Sequence, residues 1–399
     1  METKEKISKY RKILEKSKKN REFSLTQTTL EKLIELEPNN KEIKFELCHY
    51  LFVNDNIIKS KKLLEDLLKV DPNNIEYLKF YATQNDILKN PKKAVEIYKK
   101  IISLSPEDIF SYINIAKMYN FLGDYKKIIH YSEQGLKIDD KNIIIYNNLA
   151  AGLMYQEKFL EAFEYVKKIE ILDNMNHSAI SLGTYLIEQL GINHKFKFIN
   201  SPMNYIREFK INNKDNDNFF KDLVKYIGKI SNKVWEPRNK STHKGFQTKD
   251  NLFSNNKNDY EIKNIAEIIK SSVKSYLTIF NKSNDYFIKK FPDSVTLKGW
   301  SVTLKNSGYQ SSHNHPAGWI SGVMYIQVPK DLKNDEGKIE FSTHGYDMPI
   351  IKSNISTKLF TPEEGKLLLF PSSIYHRTIP FKSNDDRISI AFDIIPKIN

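Results

Sequence analysis

A 34-residue period in the first half of the chain is the feature that most restricts its fold. Pro38, Pro72 and Pro106 lie 34 residues apart, each in a short polar break between apolar stretches. Asp140 and Asn174 continue the same register without proline. Between the breaks, apolar residues recur at helical spacing. Such a period is typical of stacked helix-turn-helix units, each burying an apolar face that it could not bury alone.

The residues inside each period resemble the tetratricopeptide repeat. Tyr112, Ile115, Ala116 and Tyr119 occupy its aromatic, apolar, small and aromatic positions. The resemblance implies an α-solenoid of about five repeats with a capping helix near His177–Leu190. Solenoids present an extended concave surface. We therefore expect a docking surface for a protein, a peptide or a substrate; a purely stabilising appendage is the alternative.

The second informative feature is a pair of histidines, His313 and His315, one residue apart. On an extended backbone, side chains at i and i+2 point to the same face. A third histidine, His376, follows an apolar run, and Arg387 comes eleven residues later. Arg387 and Ser389 alternate with isoleucines, so both polar side chains are expected on one face of a strand.

These residues lie in motifs that resemble the 2-oxoglutarate- and Fe(II)-dependent oxygenases, close to the prolyl-hydroxylase-like branch. The motifs are Gly-Tyr-Gln-x-x-His-x-His-Pro, Ser-Gly-Val-x-Tyr, Gly-Lys-Leu-x-Leu-Phe-Pro and Arg-Ile-Ser-Ile-Ala-Phe-Asp. Ser241–Thr248 resembles an upstream motif of the same group. The resemblance implies a C-terminal double-stranded β-helix, or jelly roll, with flanking helices.

The resemblance also implies an Fe(II) centre that binds 2-oxoglutarate and O2, with ascorbate as an additional cofactor candidate. It places the metal ligands at His313, His315 and His376. Ferrous oxygenases use a facial set of protein ligands that leaves other positions open. In the wider superfamily the position of His315 is acidic, so two arrangements stay open: His315 binds the metal, or it turns away and water completes the shell.

The resemblance assigns the distal carboxylate of 2-oxoglutarate to Arg387, helped by Ser389. A planar guanidinium suits bidentate binding of a carboxylate. Tyr325, on the strand after the histidine pair, is a weaker candidate for the same carboxylate. The alternative for Arg387 is a salt bridge to Asp385 or Asp393.

Gln310, Trp319 and Trp300 are candidates for a substrate pocket near the histidines, although aromatic residues in strands are more often part of the core. His344 and His243 are expected to be surface or loop residues, because neither has a partner at ligand spacing.

The function that this resemblance implies is hydroxylation of an unidentified substrate by a dioxygenase. One alternative is a non-catalytic repeat scaffold whose cupin-like domain binds a metal or a small molecule. Another is a three-histidine dioxygenase that uses no 2-oxoglutarate. The absence of the usual acidic ligand is consistent with the first alternative, whereas the second would need another explanation for Arg387 and Ser389.

The pattern of apolar residues divides the chain into 1–190, a linker 191–215, and 216–399, which gives a multidomain protein, α followed by α+β. Helical spacing predicts helices over Phe219–Ile230 and Ile262–Phe280. From Ser294 the period changes to that of strands. The predicted strands are Val295–Leu304, Trp319–Val328, Lys338–Phe341, Lys366–Phe370 and Arg387–Ile394.

Composition and charge restrict the number of domains, the compartment and the class of partner that we expect. With 399 residues, two domains are expected. The single cysteine, Cys48, excludes an intrachain disulfide and fits a reducing compartment. The charged N-terminus has no apolar signal segment, so a soluble, cytoplasmic protein without membrane contact is expected. The net charge of +13 is spread along the whole chain, which does not favour a nucleic-acid partner. No pattern indicates an oligomeric state.

Overall fold

The computed structural model of the protein forms two compact units, Met1–Gln156 and Glu157–Asn399. It describes residues 2–20, 22–211, 216–238, 240–255, 259–353 and 355–397. Residues 212–215 of the predicted linker lie outside these described residues. In the part of the chain that is described, no helix combines the length and apolar character needed to cross a membrane.

In its described residues, the first unit consists of helices joined by short turns and contains no strand. Its helices are α1 (Glu2–Asn20), α2 (Phe23–Leu36), α3 (Lys41–Val53), α4 (Ile57–Val70), α5 (Ile75–Ile87), α6 (Pro91–Leu104), α7 (Ile109–Phe121), α8 (Tyr125–Leu136) and α9 (Ile143–Tyr155). Small residues let the helices approach closely: Ala94 and Ala116 are fully buried in one core with Tyr98 and Ile115. Cys48 is buried as well.

The sequence period corresponds to a repeated helix cap. Asn40, Asn74, Asp108 and Asn142 are the N-caps of α3, α5, α7 and α9, and they lie 34 residues apart. Each side-chain oxygen accepts a hydrogen bond from the backbone N–H three residues later, which satisfies a donor that the helix leaves free. The capping residue therefore continues the 34-residue period into the later repeats, in which no proline stands at the corresponding position.

The second unit contains the remaining helices. They are α10 (Phe159–Leu172), α11 (His177–Leu190), α12 (Asn216–Lys229), α13 (Leu252–Asn255), α14 (Tyr260–Ile279), α15 (Tyr286–Lys289) and a 3-10 helix at Pro202–Tyr205. Helix α11 coincides with the predicted capping helix. Its N-cap, Asn176, continues the 34-residue register, and it ends at Gly191, whose φ of 67° is left-handed.

Ten strands form two antiparallel sheets in the described part of the second unit. They are β1 (Arg207–Lys210), β2 (Lys233–Trp235), β3 (Thr242–Thr248), β4 (Val295–Gln310), β5 (Ile320–Gln327), β6 (Ile339–Ser342), β7 (Thr357–Phe360), β8 (Lys366–Pro371), β9 (Tyr375–Thr378) and β10 (Arg387–Pro396). The larger sheet has the order β1-β8-β5-β10-β4-β3-β2, and the smaller one has the order β7-β6-β9.

Strand β10 lies in the middle of the larger sheet, between β5 and β4. Its residues Ile388, Ile390, Phe392 and Ile394 pack into an apolar core that also contains residues of α12 and α14. The alternate residues, which begin at Arg387, point to the opposite face of the sheet. One face of β10 thus supports the fold, and the other can carry polar side chains.

Candidate metal centre

Three histidines meet where the segment after β4 runs beside β9. His313 and His376 exchange two backbone hydrogen bonds of 3.0 and 2.9 Å. The backbone N–H of His315 donates to the carbonyl of Ser372 at 3.0 Å, in the turn between β8 and β9. Backbone pairing therefore fixes all three residues before any metal is considered.

The imidazole rings of the three histidines form a compact group. The ring centres of His313 and His376 are 4.4 Å apart, and His315 lies 5.1 Å from each. One nitrogen from each ring can be chosen so that all three lie within 4.8 Å of one another. Ligands of one metal ion have this mutual spacing, so the group can hold a metal.

Each ring is oriented by an oxygen at its Nδ1 atom. His313 Nδ1 faces the Ser311 carbonyl at 2.7 Å, and His376 Nδ1 faces the Ile374 carbonyl at 3.1 Å. His315 Nδ1 faces the Asp393 carboxylate at 2.6 Å. An acceptor at Nδ1 requires the proton there and leaves the Nε2 lone pair free. Each Nε2 therefore carries a lone pair that can bind a metal; that of His313 also lies 3.3 Å from Ser241 Oγ.

Burial favours the neutral, metal-binding form of His313 and His376. Burial and the neighbouring His315 lower the pKa of His313 to about 3. Burial, followed by His313 and His315, lowers the pKa of His376 well below the ordinary value. A metal-binding imidazole must be neutral, and these two rings are neutral at pH 7.

Arg387 and Tyr325 form a second polar pair on the larger sheet. Arg387 is 1% exposed, and its guanidinium carbon lies 4.9 Å from the centre of the Tyr325 ring. Arg387 Nε donates to the Gly337 carbonyl at 3.2 Å. The buried Tyr325 hydroxyl has no hydrogen-bond partner among the described residues. Ser389, also buried, lies opposite Tyr325 in the β10–β5 register.

The alternative of a salt bridge for Arg387 finds no support. None of the ion pairs among the described residues includes Arg387, and Asp393 pairs with His315 instead. Burial lowers the pKa of Arg387, but arginine stays charged in proteins. Arg387 is thus a buried cation next to a hydroxyl that has no hydrogen-bond partner among the described residues.

An open cleft of about 650 Å³ leads to the histidines, and His313 and His315 line it. Trp300 also lines the cleft, with its ring centre 5.5 Å from that of His315. Gln310 reaches His313 only through Ser241. Its amide donates at 3.4 Å to Ser241 Oγ, which is 3.3 Å from His313 Nε2.

Trp319 lies in a different environment from the cleft. It is 4% exposed and packs in the core beside Phe198. Its indole N–H donates to the Phe287 carbonyl at 2.8 Å. The structure therefore places Trp319 in the core and does not bring it to the histidines.

Neither His243 nor His344 belongs to the group of three histidines. His243 lies on strand β3, where its ring stacks on Tyr309 at 4.7 Å. His344 lies in a loop, and its Nε2 is 2.6 Å from the Met348 carbonyl.

Sequence reasoning missed the contact of Asp393 with His315. It considered Asp393 only as a partner for Arg387. The sequence does indicate that Asp393 faces the site. Arg387, Ser389 and Asp393 are separated by even numbers of residues on one strand and therefore share a face.

Several solved structures are similar to part of this chain. MamA from Desulfovibrio magneticus RS-1 is 17% identical with a TM-score of 0.39, and the match covers 42% of this chain and 95% of that chain. A tetratricopeptide repeat protein from Parabacteroides merdae is 15% identical with a TM-score of 0.42, and the match covers 46% of this chain and 73% of that chain. PilF of Pseudomonas aeruginosa is 15% identical with a TM-score of 0.39, and the match covers 48% of this chain and 87% of that chain. No curated protein matches the chain.

Two family models match parts of the chain and confirm both resemblances found in the sequence. Residues 111–142 match the tetratricopeptide repeat, and residues 298–393 match the family described as "Putative 2OG-Fe(II) oxygenase". The second match spans His313, His315, His376 and Arg387. The chain is thus similar to the tetratricopeptide repeats in its helical part and to this oxygenase family in the segment that carries the three histidines.

Proposed function

We propose that the second unit is an Fe(II)- and 2-oxoglutarate-dependent oxygenase that hydroxylates a C–H bond of its substrate. The observation that carries this proposal is the buried Arg387, which has no ion-pair partner among the described residues and lies beside the unsatisfied Tyr325 hydroxyl. Arg387 is on β10, the strand that also carries Asp393, the partner of His315. A metal site alone would not explain a buried cation without an anion. A cosubstrate with a carboxylate at one end would explain it, because the carboxylate would pair with the buried cation.

The chain's own residues fit the metal and the cosubstrate. His313, His315 and His376 would hold Fe(II) through their Nε2 atoms. Arg387 would bind the distal carboxylate of 2-oxoglutarate, with Tyr325 donating a hydrogen bond to it and Ser389 beside them. When bound, the iron and 2-oxoglutarate supply the activation of O2 that hydroxylation requires. The protein orients them and keeps water away from the buried carboxylate.

The sheet arrangement supports a double-stranded β-helix as the fold of this domain. Phe341 of the smaller sheet packs on Phe370 of the larger sheet, with ring centres 4.7 Å apart. His376 lies next to both rings, at 5.9 and 4.8 Å. We propose that the two sheets are the two walls of a jelly roll, with the metal ligands at one end of the space between them.

An anaerobic titration tests the proposed function. Fe(II) and then 2-oxoglutarate are added to the metal-free full chain while the visible metal-to-ligand charge-transfer band is recorded. The wild type should develop the band, and Arg387→Ala should need far more 2-oxoglutarate to do so. Arg207→Ala, which removes an arginine near Phe280, is the matched control and should behave as wild type.

The possible results separate the candidate functions. A band that is independent of Arg387 would remove the assigned role of this residue. Iron binding without any band would favour a three-histidine site or a non-catalytic scaffold, and the oxygenase proposal would then fail. Succinate formation should be lost in His376→Ala, because one of three ligands is missing.

The repeat helices are proposed to dock a protein or peptide partner. Support comes from the tetratricopeptide match and from exposed apolar side chains on α7 and α9, namely Phe110, Phe121 and Ile144. Peptides selected for binding to the full chain should lose affinity for Phe121→Lys. Ile171→Lys, which alters an 83% exposed residue of α10, is the control. Unchanged peptide binding by Phe121→Lys would argue against this surface.

A further inference from the structure

We propose that Asp393 is a positioning residue of the metal centre and supplies, through His315, the negative charge that an acidic ligand would otherwise provide. This proposal rests on the proposed metal site, but it is independent of 2-oxoglutarate. It concerns a residue that lies outside the group of three ligands and acts through one of them.

The contact between Asp393 and His315 is short and shielded from solvent. Asp393 Oδ1 lies 2.6 Å from His315 Nδ1, and the two side chains are only 10% and 12% exposed. Charge-assisted hydrogen bonds have this length. The carboxylate therefore fixes both the orientation of the ring and the position of its proton, so that Nε2 is presented to the metal.

Two serines hold the carboxylate in place. Ser321 Oγ donates to Asp393 Oδ1 at 2.6 Å and lies 2.8 Å from Ser372 Oγ. Ser321 is directly opposite Asp393 in the β10–β5 register, and Ser372 also accepts the backbone N–H of His315. The same small network thus holds the backbone of His315, its ring and the aspartate.

Asp393 has no competing cation at ion-pair distance. Lys298 is opposite it in the β10–β4 register, yet among the described residues only His315 lies within 4.0 Å of the carboxylate. Its charge is therefore directed at the histidine. The other two ligands differ, because His313 and His376 donate from Nδ1 to neutral carbonyls.

A carboxylate behind a metal-binding histidine raises the basicity of that ligand and orients it. Three neutral imidazoles alone would leave a bound Fe(II) with its full charge of two, whereas Asp393 offsets one unit through a single hydrogen bond. We therefore expect tighter binding of divalent metal and a lower Fe(III)/Fe(II) reduction potential than three neutral imidazoles would give.

Cobalt binding to the full chain tests this role without 2-oxoglutarate or turnover. Asp393→Asn keeps the size of the side chain and can keep the hydrogen bond, but it removes the charge; Asp393→Ala removes both. We expect Co(II) affinity to fall about 10- to 100-fold in the asparagine variant, at least as much in the alanine variant, with shifted Co(II) absorption bands. The reduction potential of bound iron should rise in Asp393→Asn.

Asp285→Asn is the matched control, because this half-buried aspartate accepts hydrogen bonds from Asn200 N and Tyr205 OH and does not line the cleft. It should bind Co(II) as the wild type does. Wild-type affinity, absorption and potential in Asp393→Asn would overturn the role of the charge while leaving the metal site intact. If the wild type bound no Co(II), the metal site itself would be refuted. Thermal unfolding of the metal-free variants shows whether each one folds.

Discussion

Arg387 is a buried cation without an acidic partner among the described residues, and this makes it costly for the folded protein. Removing a charged group from water without an opposite charge is unfavourable. The neighbouring Tyr325 hydroxyl adds an unsatisfied polar group. A fold keeps such groups where a ligand completes them, so stability and function should conflict at this position.

Arg387→Met tests that conflict. Methionine has a similar length and no charge, so metal-free protein should become more stable, by about 1–3 kcal/mol. Urea unfolding of the full chain gives the free energy. Addition of Co(II) and 2-oxoglutarate should raise the midpoint of the wild type, because a ligand that binds only the folded state stabilises it, but 2-oxoglutarate should add nothing in the variant. A less stable Arg387→Met would mean that Arg387 is chiefly structural.

Three histidines with lowered pKa values should make the metal-free protein sensitive to acid. Burial lowers the pKa of His177 to about 4, that of His313 to about 3 and that of His376 well below the ordinary value. The unfolded chain therefore binds protons first as the pH falls. The stability that these neutral rings contribute is complete above about pH 6.5, the ordinary value, and is lost progressively as the pH falls towards 3.

Urea unfolding of metal-free protein at pH 7.5 and pH 5 measures this loss. Each such histidine contributes a slope of up to about 1.4 kcal/mol per pH unit below its unfolded-state pKa. His177→Phe removes one titrating ring that packs beside Phe198 at 5.1 Å, so its stability should change less with pH than that of the wild type. Equal stability of the wild type at the two pH values would contradict the prediction.

The three histidines and Arg387 could be predicted from the sequence because their motifs are local and ordered. The environment that orients them could not. Asp393 and His315 are 78 residues apart, and the oxygen partners of His313 and His376 are backbone carbonyls, which every residue has. Whether Trp319 faces the cleft or the core depends on the packing of several elements, and an aromatic residue in a strand suits either.

Helix α11 takes part in the site of the second unit, although its sequence reads as the end of a repeat array. Ser181 Oγ accepts from Asn314 Nδ2 at 2.8 Å, and its one proton can be donated to the carbonyl of Ser373 at 2.6 Å or of His177 at 2.7 Å. Asn314 lies between two of the histidines, and Ser373 precedes the third by three residues. One hydroxyl on α11 thus connects both segments that carry metal ligands.

Ser181→Ala should loosen these segments. We expect a loss of about 1 kcal/mol in stability, because Asn314 and Ser373 lose a partner, and a weaker affinity for Co(II). The matched control is Thr184→Ala on the same helix, since its hydroxyl donates only to the Ile180 carbonyl of α11 itself, at 2.8 Å. Co(II) titration of the three proteins distinguishes them. Equal affinities would show that α11 does not position the ligands.

The elements that were predicted are those whose pattern is long enough to see. The strands β5, β6, β8 and β10 and the helices α12 and α14 appear close to the predicted bounds, whereas β4 begins at the predicted Val295 but continues past the predicted Leu304 to Gln310. Strands β1, β2, β7 and β9 have three or four residues each, too few for an alternating pattern to stand out. Strand β3 was recognised as a motif but not as a strand, because Gly245 and a bulge interrupt its pairing.

At the scale of the whole chain, repeat register and compactness place the division at different residues. The sequence predicts the end of the repeat domain at residue 190, whereas the boundary between the two compact units along the chain falls between Gln156 and Glu157. Helix α11 explains the difference. Residues on several of its faces are buried, and Gly183 lies so close to Phe196 and Val166 that an added Cβ would come within 2.2 and 2.8 Å of their side chains.

Two fragments distinguish the boundaries. Fragment 191–399 lacks α11, so the carbonyl of Pro349 loses the Tyr185 hydroxyl and the backbone N–H groups of Ile351 and Lys352 lose the Gln189 amide oxygen. Fragment 157–399 retains these contacts together with α10. We expect the longer fragment to unfold cooperatively and to bind Co(II) with the affinity of the full chain, and the shorter one to aggregate or to bind poorly. Folding and metal binding by 191–399 would instead support the boundary that the repeat register predicts, and α11 would then be dispensable for the metal centre.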